Sequence, residues 1–141
     1  MNALANIARY PDWPMRLAGF IQARMKTPFA WGQNDCCSFA GDAVQLMTGV
    51  DPMRELRGRY ATERGAQRLI KQAGGFGPLV CRYLGPPMEN RAAAGRGDVV
   101  MLPVSDAGPG LGICVGSDVA VAGTAGVVLI DISSALCAWK V

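Results

Sequence analysis

The apolar residues of this chain change their spacing part-way along, and that change limits the folds open to it. Up to about Leu84 they recur with a period of about 3.6 residues, the spacing of one helix face. After Gly95 they form short runs separated by glycine turns, the pattern of strands. Trp13, Leu17, Phe20, Ile21 and Met25 predict a helix over Asp12–Met25, with Asp12 as cap and Pro14 tolerated in the first turn. Thr27-Pro28 ends it. Cys36, Phe39, Ala40, Ala43, Leu46 and Met47 predict a second helix over Cys36–Met47, capped by Asn34 or Asp35 and stopped at Gly49. Thr62 caps a third, Glu63–Gln72, ended by Gly74-Gly75. Leu79–Leu84 fits helix or strand. Strands are expected at Asp98–Pro103, Gly112–Gly116, Val119–Val121, Val127–Ile130 and within Ala135–Val141. Helices first and an antiparallel sheet of about five or six strands afterwards is the α+β class.

The 141 residues suit one domain, residues 1–141. Half are hydrophobic and 18% are charged, so the chain can build a packed core. The net charge of +3 is small and scattered, which argues against nucleic-acid binding. Arg54, Arg57, Arg59, Arg64 and Arg68 gather around Glu55 and Glu63 and read as a solvated surface of mixed charge. Asp51-Pro52 opens a polar connection through to Tyr60. The first ten residues lack the apolar run of a signal peptide, and no stretch reaches the roughly 18 to 20 apolar residues of a membrane span.

Five cysteines at irregular spacing, Cys36, Cys37, Cys81, Cys114 and Cys137, argue for reduced thiols and against a disulfide framework. There is no C-x-x-C pair and no histidine, so no metal site and no cofactor is expected. Cys37, Cys114 and Cys137 are read as core. Trp13 and Trp139 fit core packing or a partner contact equally well.

Cys36 is where chemistry would sit. A sulfur in the first turn of a helix meets free backbone N–H groups and the positive end of the helix dipole, which favour thiolate. The neighbouring Asp35 opposes this with its negative charge. Amide hydrolysis needs more than a thiolate: a group must take the thiol proton and later protonate the leaving amine. A carboxylate, with an ordinary pKa near 4, is a poor match for a thiol near 8.5. Asp98 is expected to cap or turn the backbone, and Asp106 and Asp118 to lie in loops.

The segments Phe29-Ala-Trp-Gly32 and Asp35-Cys-Cys-Ser-Phe39 resemble the nucleophile motif of the NlpC/P60 cysteine peptidases. Arg96-Gly-Asp-Val-Val-Met-Leu102 and Gly110-Leu-Gly-Ile-Cys-Val-Gly116 are similar to two later strands of that family, in the same order. The resemblance implies a papain-like core in the family's circularly rearranged order. It places Cys36 on the nucleophile, Gly110 on the catalytic histidine and Ala122 near the third, histidine-orienting residue. Trp31, Asp35 and Ser38 become candidates for the groove beside Cys36.

More narrowly, Trp31–Cys36, Thr48–Pro52, Tyr60–Ala66, Ala94–Val99 and Ala138–Val141 resemble small tail proteins of long-tailed phages, prophages and gene transfer agents. This implies a virion structural protein of the tail tip or baseplate, made in the bacterial cytoplasm. Its partners would be the hub and the large central fibre protein, with peptidoglycan as a further one. The resulting expectation is a peptidase-like domain without its base, a pseudoenzyme in which Cys36 keeps shape and little chemistry. The alternative is an active cell-wall peptidase or amidase that uses Cys36 with an unusual base. The Ser105–Gly110 connection is read as a polar loop able to act as a contact surface.

Overall fold

The computed structural model describes residues 4, 6–106 and 108–141. Residues 1–3 and 5, part of the stretch read for a signal peptide, lie outside the described residues, as does position 107 in the 105–110 connection. Four helices come first: α1 (Trp13–Arg24), α2 (Cys36–Thr48), α3 (Glu63–Ala73) and α4 (Phe76–Leu84). Five strands follow: β1 (Val99–Ser105), β2 (Gly108–Cys114), β3 (Asp118–Gly123), β4 (Gly126–Asp131) and β5 (Cys137–Trp139). They form one antiparallel sheet in the order β4-β3-β2-β1-β5. The α+β class read from the periodicity is the class of the fold.

The ambiguous Leu79–Leu84 run is helical. Gly75 caps α4, and Leu79, Val80, Tyr83 and Leu84 fall at helical spacing on its buried side. Asn34 and Asp35 divide the roles that either alone had been assigned. Asp35 caps α2, while the Asn34 amide donates to the Pro28 carbonyl at 3.0 Å and its oxygen accepts from Arg24 at 2.9 Å. Asp12 begins α1 without a side-chain cap, because its carboxylate takes the Arg16 guanidinium one turn on, at 2.8 Å.

The sheet has two buried faces. One packs on α2, joining Val99, Leu111, Ile113 and Trp139 to Phe39, Ala40 and Val44. The other gathers Val100, Leu102, Cys114, Val119 and Ala138 under Met88, Ala94 and Ile132. Trp139 is core: it is 1% exposed, and its indole N–H donates to the Gly85 carbonyl at 2.9 Å. Trp13 packs against the same core beneath the Arg9 guanidinium, 4.2 Å from the ring. Cys37 and Cys114 are buried and Cys137 is half-buried, while Leu46, assigned to the inner face of α2, is exposed.

Three polar readings change. The 51–60 connection sends Met53 and Leu56 into the core, so it is a packed turn and not a polar linker. Arg57 leaves the group around Glu55 and Glu63. It pairs with Asp51 at 2.5 Å and Asp42 at 2.6 Å, and Arg24 completes the chain to Asp42 at 2.7 Å. Most of the 105–110 connection read as a loop belongs to strands, because β1 and β2 stay paired through Pro103↔Pro109 and Ser105↔Gly108.

Asp98 does turn the backbone, accepting from the N–H of Gly95 at 2.9 Å and of Val141 at 3.0 Å. It is fully buried and is also paired with Arg9 at 2.9 Å, which ties the segment before α1 to the far end of the chain. Removing one partner of a buried pair leaves an uncompensated charge, at a cost of about 3–5 kcal/mol. Arg9→Ala is therefore expected to lower unfolding stability by about 3 kcal/mol. A urea titration checks this: the midpoint should fall with an unchanged slope.

Candidate functional site

The site is built around the start of α2. The Asp35 carboxylate accepts the backbone N–H of Ser38 at 2.9 Å, and the Ser38 hydroxyl accepts the Asp35 N–H at 2.9 Å. This reciprocal capping box fixes where the helix begins. The second carboxylate oxygen accepts the Gly32 N–H at 2.8 Å and the Tyr60 hydroxyl at 2.6 Å. Gly32 is required at its position. Its φ is +80°, and a Cβ there would come within 2.6 Å of the Tyr60 carbonyl oxygen. The Trp31-Gly32 step thus lets the loop pass close under the 60s segment and presents Trp31 outward, with its ring edge-on to Phe29 at 4.8 Å.

Cys36 follows the cap directly and is half-buried. Its thiol is held below the ordinary cysteine range, chiefly because the Cys37 thiol hydrogen-bonds to its sulfur. The backbone N–H of Leu111 adds to this, against burial and the negative charge of Asp35. Cys37 shows the converse: the same hydrogen bond and burial push its thiol well above the ordinary range. Cys36 ionises first and Cys37 keeps its proton as the donor. Burial, together with the hydrogen bond to Asp35 and that carboxylate's charge, holds the Tyr60 hydroxyl far above its usual range, so it too stays a donor.

Facing Cys36 across the site is Gly110 on β2. A Cβ built there would lie 3.5 Å from the Cys36 Cβ and 3.0–3.1 Å from the methyls of Val104. The position opposite the thiol carries no side chain, and the methyls of Val104 crowd the place where one would start. Asp35 is the carboxylate adjacent to the sulfur in sequence. Both its oxygens are committed to donors from Gly32, Ser38 and Tyr60.

Cys36 opens onto a cavity of about 240 Å³ between the loop before α2, the α3–α4 pair and the β1–β2 hairpin. Its walls are mainly apolar, with Trp31 on the loop side, Leu69 and Phe76 on the helices, Val104 on β1 and Ala122 on β3. Charge enters the lining only as carboxylates, Asp35 and Glu63, among the described residues. No group of three or more His, Cys, Asp or Glu side chains is placed to hold a metal ion, and no helix is long and apolar enough to cross a membrane, among the described residues.

A family model described as a domain of unknown function, DUF6950, matches residues 8–141. The chain belongs to the DUF6950 family. No protein of curated function matches it by sequence. Among solved structures it is similar to the NlpC/p60 domain of the peptidoglycan hydrolase SagA, with a TM-score of 0.55 and 16% identity. That similarity covers 91% of this chain and 98% of the other. The fold of this DUF6950 chain is therefore NlpC/P60-like, with N-terminal helices packed on a small antiparallel sheet.

Cys36, Trp31, Asp35 and Ala122 border one cavity, and Gly110 lies beside Cys36. Ser38 does not border it; it is buried in the capping box. Three contributors were not legible as site residues: Tyr60, Val104 and the thiol of Cys37. Tyr60 sits 25 positions from the carboxylate it binds, and no local spacing reports such a contact. Cys37 carried a signal, since two adjacent cysteines at a helix start can bond to one another, but burial alone was read from it.

Alkylation of Cys36 tests these electrostatics. Its rate with iodoacetamide should rise with pH and reach half-maximum below the roughly 8.5 of a free cysteine. Cys37→Ala removes the largest stabilising hydrogen bond and should move that midpoint upward. An unmoved midpoint would assign the shift to the helix terminus instead.

Proposed function

We propose that this domain is a peptidase-like fold used as a structural part, working in the tail tip of a long-tailed phage or prophage-derived particle. One observation carries the first half: the position facing Cys36 is a glycine, which offers no base. The chain has no histidine, and Asp35 is bound on both oxygens, so no side chain at the thiol is free to protonate a leaving amine. In this reading Cys36 and Ala122 stand at positions of a catalytic set whose proton-transfer members are absent. Trp31 shapes the mouth of the remaining cavity.

The tail assignment rests on the motif resemblance over Trp31–Cys36, Thr48–Pro52, Tyr60–Ala66, Ala94–Val99 and Ala138–Val141. The partners proposed are the hub and the large central fibre protein, with the chain made in the bacterial cytoplasm and carried in the virion. An apolar face between α1 and the edge strand β4 suits docking: Met25 is 49% exposed and Leu129 54%. Peptidoglycan is the second partner this fold suggests, held without being cut. The lowered Cys36 thiol favours one competing reading, an active cell-wall peptidase or amidase.

Two measurements separate these. Purified protein incubated with peptidoglycan should release no new amino termini above buffer, and Cys36→Ala should match it. Turnover that disappears in Cys36→Ala sinks the structural reading. Tails purified from the encoding phage or prophage should contain the chain at the tip by mass spectrometry and immuno-electron microscopy. Complete, infectious particles without it would end the tail assignment.

A further inference from the structure

Among the described residues, the cavity beside Cys36 offers no cationic partner to the carboxylates of a cell-wall peptide, so peptidoglycan held by this domain would lie outside it. Its lining is mostly aliphatic and aromatic, and among the described residues it offers no lysine or arginine to a carboxylate. Its ionic wall residues, Asp35 and Glu63, are carboxylates and repel one. At about 240 Å³ it falls below the roughly 300–1,000 Å³ of sites for drug-sized ligands. Such a space fits one short, uncharged, flexible apolar group.

The thiol at the edge of that space limits which reaction could load it. Attack on an amide stalls here, because its nitrogen must be protonated to leave. A thioester imposes no such demand. Its leaving group is a thiolate, stable enough to depart unaided. We infer that Cys36 accepts an acyl group from an acyl thioester, with the acyl chain seated between Leu69, Phe76 and Val104. This rests on the reading that no base acts at the thiol.

In the step, the Cys36 thiolate adds to the thioester carbonyl and the donor's carbon–sulfur bond breaks. The new carbon–sulfur bond joins the acyl group to Cys36, and the donor thiolate takes a proton from water. The proton lost from Cys36 on ionisation goes to solvent, so the exchange neither consumes nor produces an oxidant. With no group to activate water, the adduct persists. Each methylene that enters the cavity strengthens binding roughly fourfold, from the transfer free energy of one buried CH₂ group.

The octanoyl and acetyl thioesters of N-acetylcysteamine, both uncharged, test this by intact-protein mass spectrometry. The octanoyl donor should add one acyl group, removable by hydroxylamine and absent in Cys36→Ser. It should react at least ~100-fold faster than the acetyl donor. Ala66→Leu, which fills part of the cavity, should lower the octanoyl-to-acetyl rate ratio while its circular dichroism spectrum and urea midpoint stay those of the parent, which separates a filled cavity from misfolding. Equal rates for the two donors, or no adduct while iodoacetamide still alkylates Cys36, overturns the inference and leaves the structural reading intact. Steady release of octanoate overturns both, because it requires a group that activates water.

Discussion

The carboxylate of Asp35 holds this structure's functional end together. It is 1% exposed and receives donors from the helix it caps, from the loop before it and from Tyr60. These contacts join parts of the chain that share no secondary structure. The cap sets where α2 starts, and therefore where Cys36 sits. The Gly32 contact curls the loop that carries Trp31. The Tyr60 contact brings the 60s segment, and α3 behind it, over the thiol as the cavity's far wall. A buried carboxylate with all its acceptor sites filled is a scaffold element. It cannot also serve as a proton shuttle without letting go of one of them.

That commitment explains the division of labour around the sulfur. A helix start and a neighbouring thiol favour ionised Cys36, while the carboxylate beside it, Asp35, is bound on both oxygens and most of the cavity wall is hydrocarbon. The result is a nucleophile without proton-transfer partners, in surroundings that exclude water on one side. The core beneath this arrangement is built by the packing of α2 against Leu111, Ile113 and Val99.

Much of the architecture was legible in the sequence because it follows from local periodicity and turn chemistry. α2 and α3 begin and end within a residue of the boundaries that Asp35, Thr62, Gly49 and Gly74 suggest. The errors share one cause. Leu79–Leu84 was ambiguous, Met53 and Leu56 were assigned to a polar link, and Arg57 was assigned to the wrong carboxylates. In each case burial or pairing with distant residues decides the outcome, and spacing along the chain does not encode it. The same holds at the site. Cys36 and Gly110 were picked out by motif order, yet the crowding of Gly110 by Val104 and the bond from Tyr60 depend on how the strands and helices come together. The Arg9–Asp98 pair, 89 positions apart, left no trace in any local pattern.

Val104 and Gly110 constrain one another as a pair. With valine at 104, a Cβ at 110 meets its methyl groups at 3.0–3.1 Å, so a larger residue there requires the Val104 side chain to give way. Val104 is itself 38% exposed, so shortening it with glycine at 110 widens the cavity beside Cys36. A proton acceptor at 110 is therefore accommodated most easily once Val104 has been shortened. The fit of two neighbouring strands thus favours one order of change over the other.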